Sequence, residues 1–145
     1  FFFVFLAGVY SGLGEHMLEV SIAHAKERKY TSGTSLAEIE TVQIHLAKMY
    51  NLVNSSVCTA KEATRSAAAG EEDALAKILS ARVIACEMVI EAGRLGMRVG
   101  GGKAYNKVGC MERLLRDAYA GQIMAPSADV LTVWLGKAIT GLPLV

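Results

Sequence analysis

The sequence predicts an all-α fold, an up-and-down four-helix bundle with a short extra C-terminal helix. Apolar residues recur every three or four positions over long stretches, and no stretch alternates polar and apolar residues as a strand does. Turn-forming residues cluster near 31–35, 66–72 and 100–109. Three long helices joined by short links are most economically packed as a bundle. The length of 145 residues is typical of one domain, so we predict a single helical domain over residues 1–145.

The three long helices are predicted from apolar spacing and from their end signals. The first carries an apolar stripe, and its residues are Leu6, Val9, Leu13, Met17 and Val20. The second begins at the capping box Ser35-Leu36-Ala37-Glu38, in which the Ser and Glu side chains satisfy first-turn backbone donors. The third starts after Gly70, where three acidic residues (71–73) face the positive end of the helix dipole, and ends at Gly100-Gly101-Gly102.

Two shorter helices complete the prediction. One covers Glu112 to Ala120. The other follows Pro126-Ser127, a pair that suits a helix start, and its apolar stripe contains Val130, Leu131, Trp134 and Ile139.

Composition and charge exclude several classes of protein. Fifteen Lys and Arg against fourteen Asp and Glu give a net charge of +1, which excludes a nucleic-acid groove or a polybasic membrane patch. The apolar run Phe1–Tyr10 is shorter than the ~20 residues of a membrane span, and it suggests a domain of a longer chain. Cys58, Cys86 and Cys110 form no CxxC pair, which favours a reduced, cytoplasmic protein.

Several kinds of reactive site are also excluded by their spacing rules. No Glu is followed by His three positions later, as a di-iron bundle requires, and the three histidines (16, 24 and 45) lack zinc spacing, so we predict no metal. Near Gly100-Gly101-Gly102-Lys103, a phosphate loop would need Gly at Met97 and Ser or Thr at Ala104. The chain has no GxSxG nucleophile elbow.

Four segments together resemble a known family over nearly the whole chain. They are Lys26-Glu27-Arg28-Lys29, residues 98–105 (RVGGGKAY), residues 112–118 (ERLLRDA) and residues 122–127 (QIMAPS). Their order and spacing resemble the C-terminal helical domain of the acyl-CoA dehydrogenase superfamily. The resemblance implies the last domain of a longer flavoenzyme, with FAD between subunits of a homo-oligomer (dimer or tetramer), an acyl-CoA substrate and a separate electron-transfer partner.

The resemblance also implies individual roles. Arg28, Gly101 and Gly102 would contact the cofactor, Arg98 stands where the family has Gln, and Ser127 stands at the Thr position of the I-Y-E-G-T loop. A forked guanidinium can bind a pyrophosphate, and glycine lets a phosphate approach the backbone. The residues alone leave open that Arg28 belongs to a solvated charge cluster and that the glycines only end a helix. We further expect Glu112, Arg116 and Asp117 to form a buried ion-pair set.

Some positions depart from the family pattern. The Glu that removes the α-proton in the family aligns with Ala125, so no catalytic residue is assigned, and Glu15 or Glu19 on the first helix could substitute only if it were not simply solvated. Residues 30–33 contain an apparent insertion, and Glu40 replaces a Gln.

Three functions therefore remain open at this level. The first is the C-terminal domain of a FAD-dependent acyl-CoA dehydrogenase-like oxidoreductase, the second a flavin-dependent monooxygenase or oxidase relative that needs no α-proton base, and the third a non-catalytic oligomerising helical module.

Overall fold

The computed structural model describes residues 2–144, and it confirms the all-α prediction. The helices are α1 (Phe2–Glu27), α2 (Glu40–Ala69), α3 (Ala74–Ala104), α4 (Met111–Ile123) and α5 (Ala128–Thr140), with a short 3-10 turn at Leu36–Glu38. Residues 2–144 contain no strand, only an isolated antiparallel bridge between Lys29 and Ser35. Within the same residues, no helix has both the length and the apolar character needed to cross a bilayer.

The first four helices form the bundle and α5 is the extra helix. The helices α1, α2 and α3 all pack against one another, and α4 packs on α3 and α1. The last helix lies against α3, where Leu131 joins Leu79 and Val83 in a small core cluster. The predicted architecture, a four-helix bundle with a short C-terminal helix, is therefore confirmed.

Small side chains bring α1 close to the rest of the bundle. The buried face of α1 includes Leu6 and Met17 of the predicted stripe, but Val9 is exposed. Its other buried residues are Ala7, Tyr10, Ser11, Gly14, Ser21 and Ala25. The true contact face is rotated from the predicted one because small residues, which an apolar count overlooks, permit the closest approach of two helices.

The capping box does not begin α2. The Ser35 backbone N–H donates to Glu38 Oε1 at 2.7 Å, but the box encloses only the 3-10 turn. Ile39 has an extended backbone (φ −82°, ψ 120°), and α2 begins at Glu40. The turn is held instead against the end of α1, because the Leu36 N–H donates to the Arg28 carbonyl at 2.8 Å.

The glycine run near the end of α3 interrupts the helix as predicted, but the chain then makes one more turn. Gly101 has φ 52° and ψ −138°, a conformation that residues other than glycine rarely adopt. Helical hydrogen bonding resumes until Ala104. The glycine run therefore makes a kink rather than a clean helix end.

Candidate functional site

Three helix ends meet at one end of the bundle, which we call the basic end. It comprises the C-terminal end of α1 with the loop after it, the beginning of α2 and the C-terminal end of α3. Ala25, Val42 and Val99 form a buried cluster that joins these three elements. Arg28 follows Ala25 by three residues and Arg98 precedes Val99, so the fold brings both predicted arginines to the same end.

The loop after α1 fixes the backbone of Arg28 and leaves its side chain in solvent. The Arg28 N–H donates to the His24 carbonyl at 3.0 Å, which continues the last turn of α1. The Arg28 carbonyl accepts from Leu36, as described above. The main chain of Arg28 is thus hydrogen-bonded on both sides, and its guanidinium is accessible from outside the bundle.

On α3, Arg98 is exposed and lies near a buried histidine of α2. Burial lowers the pKa of His45, and the positive charges of Arg98 and Lys48 lower it further. His45 is 8% exposed, and its Nδ1 atom has no hydrogen-bond partner. Burial and the two nearby cations therefore all disfavour protonation of this imidazole. No sequence pattern distinguishes His45 from the other two histidines, because it occupies a core position of an otherwise ordinary amphipathic stripe.

The predicted glycines lie beside these cations. Gly101 and Gly102 are exposed, and a Cβ atom added at either would have no neighbouring atom within 4 Å. The space above both residues is therefore open. The main chain at Gly101 and Gly102 is therefore accessible from solvent, and their contact with a cofactor stays a prediction.

A cavity of about 250 Å³ lies next to the basic end, between α1, α3 and the loop before α4. Its polar lining residues include His24, Lys103 and Cys110, and its wall is otherwise mainly apolar. Burial lowers the pKa of His24, with further lowering by the charges of Lys103 and Arg28. No sequence pattern indicated that His24, Lys103 and Cys110 would be neighbours, because they come together only through tertiary packing.

Ser127 is not at the basic end. It is the N-cap of α5, and its Oγ atom accepts from the Val130 N–H at 3.4 Å. The α5 residue Leu131 packs with Val83, which precedes Arg98 by fifteen positions, about 22 Å along a helix axis. Within one chain, Ser127 and the arginines therefore could contact only different parts of a ligand, or different ligands.

The loop between α4 and α5 contains no acidic group at the position expected for a base. Ala125 is exposed and is joined to Pro126 by a cis peptide bond. On α1, Glu15 and Glu19 are both exposed, and Glu19 lies 3.6 Å from Nδ1 of His16. The two carboxylates thus have the surroundings of solvated surface groups.

The prediction of a buried ion-pair set on α4 is wrong. Arg116 and Asp117 are exposed, with Nε and Oδ1 3.8 Å apart, and Glu112 is half-buried with no cation within 4.0 Å among residues 2–144. The buried face of α4 consists of Met111, Leu114, Ala118 and Gly121. This spacing of three, four and three residues turns the charged positions toward solvent.

Residues 2–144 bring no three His, Cys, Asp or Glu side chains into a group that could hold a metal ion.

Comparison with known proteins identifies relatives of the whole domain. The family described as "Acyl-CoA dehydrogenase, C-terminal domain" matches residues 4–140. Cyclohex-1-ene-1-carbonyl-CoA dehydrogenase of Geobacter metallireducens is 25% identical over 136 residues, which are 94% of this chain and 36% of that protein. The chain thus spans about a third of the length of the curated relatives it matches.

Solved structures share the fold at lower identity. A putative acyl-CoA dehydrogenase from Mycobacterium smegmatis superposes with a TM-score of 0.89 at 22% identity, over 95% of this chain and 36% of that one. Butyryl-CoA dehydrogenase from Megasphaera elsdenii gives a TM-score of 0.88 at 20% identity, also over 95% and 36% of the two chains.

Proposed function

The chain belongs to the family of acyl-CoA dehydrogenase C-terminal domains, and from this premise we propose that it is the last domain of a longer FAD-dependent oxidoreductase. The complete enzyme would carry out α,β-dehydrogenation of an acyl-CoA thioester. In that enzyme, this domain would complete the FAD site and build the subunit interface. The reduced flavin would pass its electrons to a separate electron-transfer partner.

The observation that carries this proposal is the set of unpaired cations at the basic end. Arg28 and Arg98 are exposed, and no carboxylate of residues 2–144 lies within 4.0 Å of either guanidinium. The open backbone at Gly101 and Gly102 lies beside them. Two forked donors next to accessible main chain fit the pyrophosphate of a dinucleotide better than they fit a neutral ligand.

Bound FAD would supply the hydride acceptor, and this chain would supply binding groups rather than a base. Arg28 and Arg98 would hold the negative charge of the dinucleotide, and the glycines would let it approach the backbone. Ser127, distant within one chain, would contact a different part of the cofactor or the cofactor of another subunit. Because Ala125 cannot accept a proton, the base that removes the α-proton would come from outside this chain.

Ala125 also favours a second candidate function, a flavin-dependent monooxygenase or oxidase. In such an enzyme, reduced flavin reacts with oxygen, and no base is needed to remove an α-proton. Both candidates require the basic end to bind FAD. They differ in what reduces the flavin and in what reoxidises it.

Anaerobic mixing of the complete protein with a panel of acyl-CoA thioesters distinguishes them, with flavin absorbance as the readout. Bleaching of the oxidised band by one thioester, but not by free coenzyme A, would support the dehydrogenase. Bound flavin that dithionite reduces and no thioester reduces would contradict it and favour the monooxygenase or oxidase. A complete protein that retains no flavin would contradict both and leave the non-catalytic oligomerising module.

A further inference from the structure

A charged side chain lies in the centre of the bundle without a charged partner. Arg82, on α3, is 1% exposed. Its Nη2 atom donates to the Gly121 carbonyl at 3.0 Å, and its Nη1 atom donates to Sγ of Cys86. The guanidinium carbon lies 5.0 Å from the centre of the Tyr10 ring. One side chain of α3 thus contacts both α1 and α4.

A buried arginine of this kind is costly unless its surroundings offset the charge. No carboxylate of residues 2–144 lies within 4.0 Å, and Nε has no hydrogen-bond partner. Burial lowers the pKa of Arg82 for this reason. The groups that offset the charge are the face of the Tyr10 ring and a carbonyl in the last turn of α4, the negative end of that helix dipole.

The last turn of α4 fits directly against the same cluster. A Cβ atom added at Gly121 would lie 2.9 Å from the Tyr10 ring and 3.1 Å from Sγ of Cys86. The Cys86 thiol also lies 3.2 Å from the Gly121 carbonyl oxygen. With no room for a side chain and two donors aimed at its carbonyl, Gly121 can occupy only a narrow range of positions.

We propose that Arg82 is a positioning residue that fixes the last turn of α4 and thereby the loop Met124–Ser127. The helix ends at Ile123, two residues beyond the bonded carbonyl, so a shift of Gly121 moves the loop with it. This loop carries Ala125 and Ser127. Its importance for the cofactor rests on the proposed function, but its position can be measured without any flavin.

Hydrogen exchange on the complete protein tests the proposal, with Arg82→Met and Arg82→Lys as variants. An apolar side chain of similar size in place of a buried charge often leaves stability unchanged or raised. We therefore expect Arg82→Met to keep the thermal midpoint while amide exchange at residues 122–124, whose N–H groups are hydrogen-bonded within the last turn of α4, rises about tenfold, the effect of one lost charge-assisted hydrogen bond. Arg82→Lys keeps the charge but not the fork, so we expect a smaller rise.

Ser11→Ala is the matched control, because Ser11 is buried in the same bundle and its hydroxyl pairs with Ser56 on α2. It should lower the thermal midpoint without a selective rise of exchange at residues 122–124. At temperatures well below that of unfolding, Arg82→Met should also raise the dissociation constant for FAD. That rise should be larger than in Ser11→Ala.

Two results would overturn the inference. One is unchanged exchange at residues 122–124 of Arg82→Met, and the other is an increase spread evenly over all helices, which would mean that Arg82 contributes to stability only. A complete wild-type protein that binds no flavin would refute the proposed function. The exchange measurement would still test, independently of flavin, whether Arg82 positions the end of α4.

Discussion

The hydroxyl oxygens of Ser11 and Ser56 lie 2.7 Å apart in the buried contact between α1 and α2. Each hydroxyl satisfies the other, so removal of one leaves a buried polar group without that partner. We expect Ser11→Ala and Ser56→Ala each to lower the free energy of unfolding by about 1–2 kcal/mol. The double variant should lose less than the sum of the two, as urea unfolding of all three variants would show. Strictly additive losses would contradict the coupling.

Loss of either predicted arginine should weaken flavin binding by the complete protein. A hydrogen bond to a charged group contributes about 1.5–3 kcal/mol, so Arg28→Ala and Arg98→Ala should each raise the FAD dissociation constant roughly tenfold or more. Titration of the apoprotein with FAD, followed by flavin fluorescence, measures both constants.

Lys61→Ala is the control for this prediction, because Lys61 is also an exposed cation but lies toward the far end of α2. It should bind FAD like the wild type. Unchanged affinity in both arginine variants would remove the basic end from the cofactor site. An equal loss in the lysine variant would mean that only the net charge matters.

Two of the three acidic residues before α3, Glu71 and Asp73, belong to an ion-pair network. Arg65 and Lys77 hold the pKa of Glu71 down at about 2 through hydrogen bonds, and the same two cations lower the pKa of Glu62 to about 2. The Nζ atom of Lys77 also lies 3.0 Å from Oδ1 of Asp73. The helix itself begins only at Ala74. The network joins the end of α2 to the start of α3.

This network should make the stability of the bundle sensitive to acid. The folded-state pKa of Glu71 lies below its unfolded value near 4.5, so the contribution is complete above about pH 5 and is lost as the pH falls toward 2. The thermal midpoint of Glu71→Gln should therefore fall less between pH 6 and 3 than that of the wild type. Because the groups are partly exposed, molar salt should reduce the difference. Parallel curves for the two proteins would contradict the prediction.

What the sequence could predict depends on whether a feature is local. Helix spacing and the glycine kink depend on neighbouring residues, and Arg28 and Arg98 come together because a bundle of this connectivity must bring those helix ends together. The prediction for the charged positions of α4 is wrong because a motif and helical spacing do not show which face is buried when small residues such as Ala118 and Gly121 complete the buried stripe.

The features that the pattern of a single helix did not predict depend on contacts outside that helix. Arg82 stands 39 positions before the carbonyl it binds. The capping box at Ser35 has the sequence of a helix start, yet the backbone hydrogen bond from Leu36 to Arg28 holds it in a separate turn. In both cases tertiary contacts outweigh a local preference, as is common for weak propensities.

Exposed apolar side chains on α1 and α5 predict self-association. Phe5 on α1 is 68% exposed, and Val133 and Ile139 on α5 are 58% and 69% exposed. A helix that is apolar on nearly all sides is normally buried, and the described residues leave these faces uncovered. We expect the domain to form a dimer or tetramer in solution, with a mass above 15.5 kDa by light scattering. The double variant Phe5→Asp/Val133→Asp should shift the mass toward that of the monomer.

The control for association is Val108→Asp, because Val108 is 94% exposed but lies in the loop before α4 and not on α1 or α5. If association depends on the helix faces, this variant should keep the wild-type mass although it removes the most exposed of these apolar side chains. If exposure of any apolar side chain were enough, Val108→Asp would dissociate the protein as well. A wild-type domain that stays monomeric at high concentration would contradict the prediction directly, since each protomer would then leave both apolar helix faces in water.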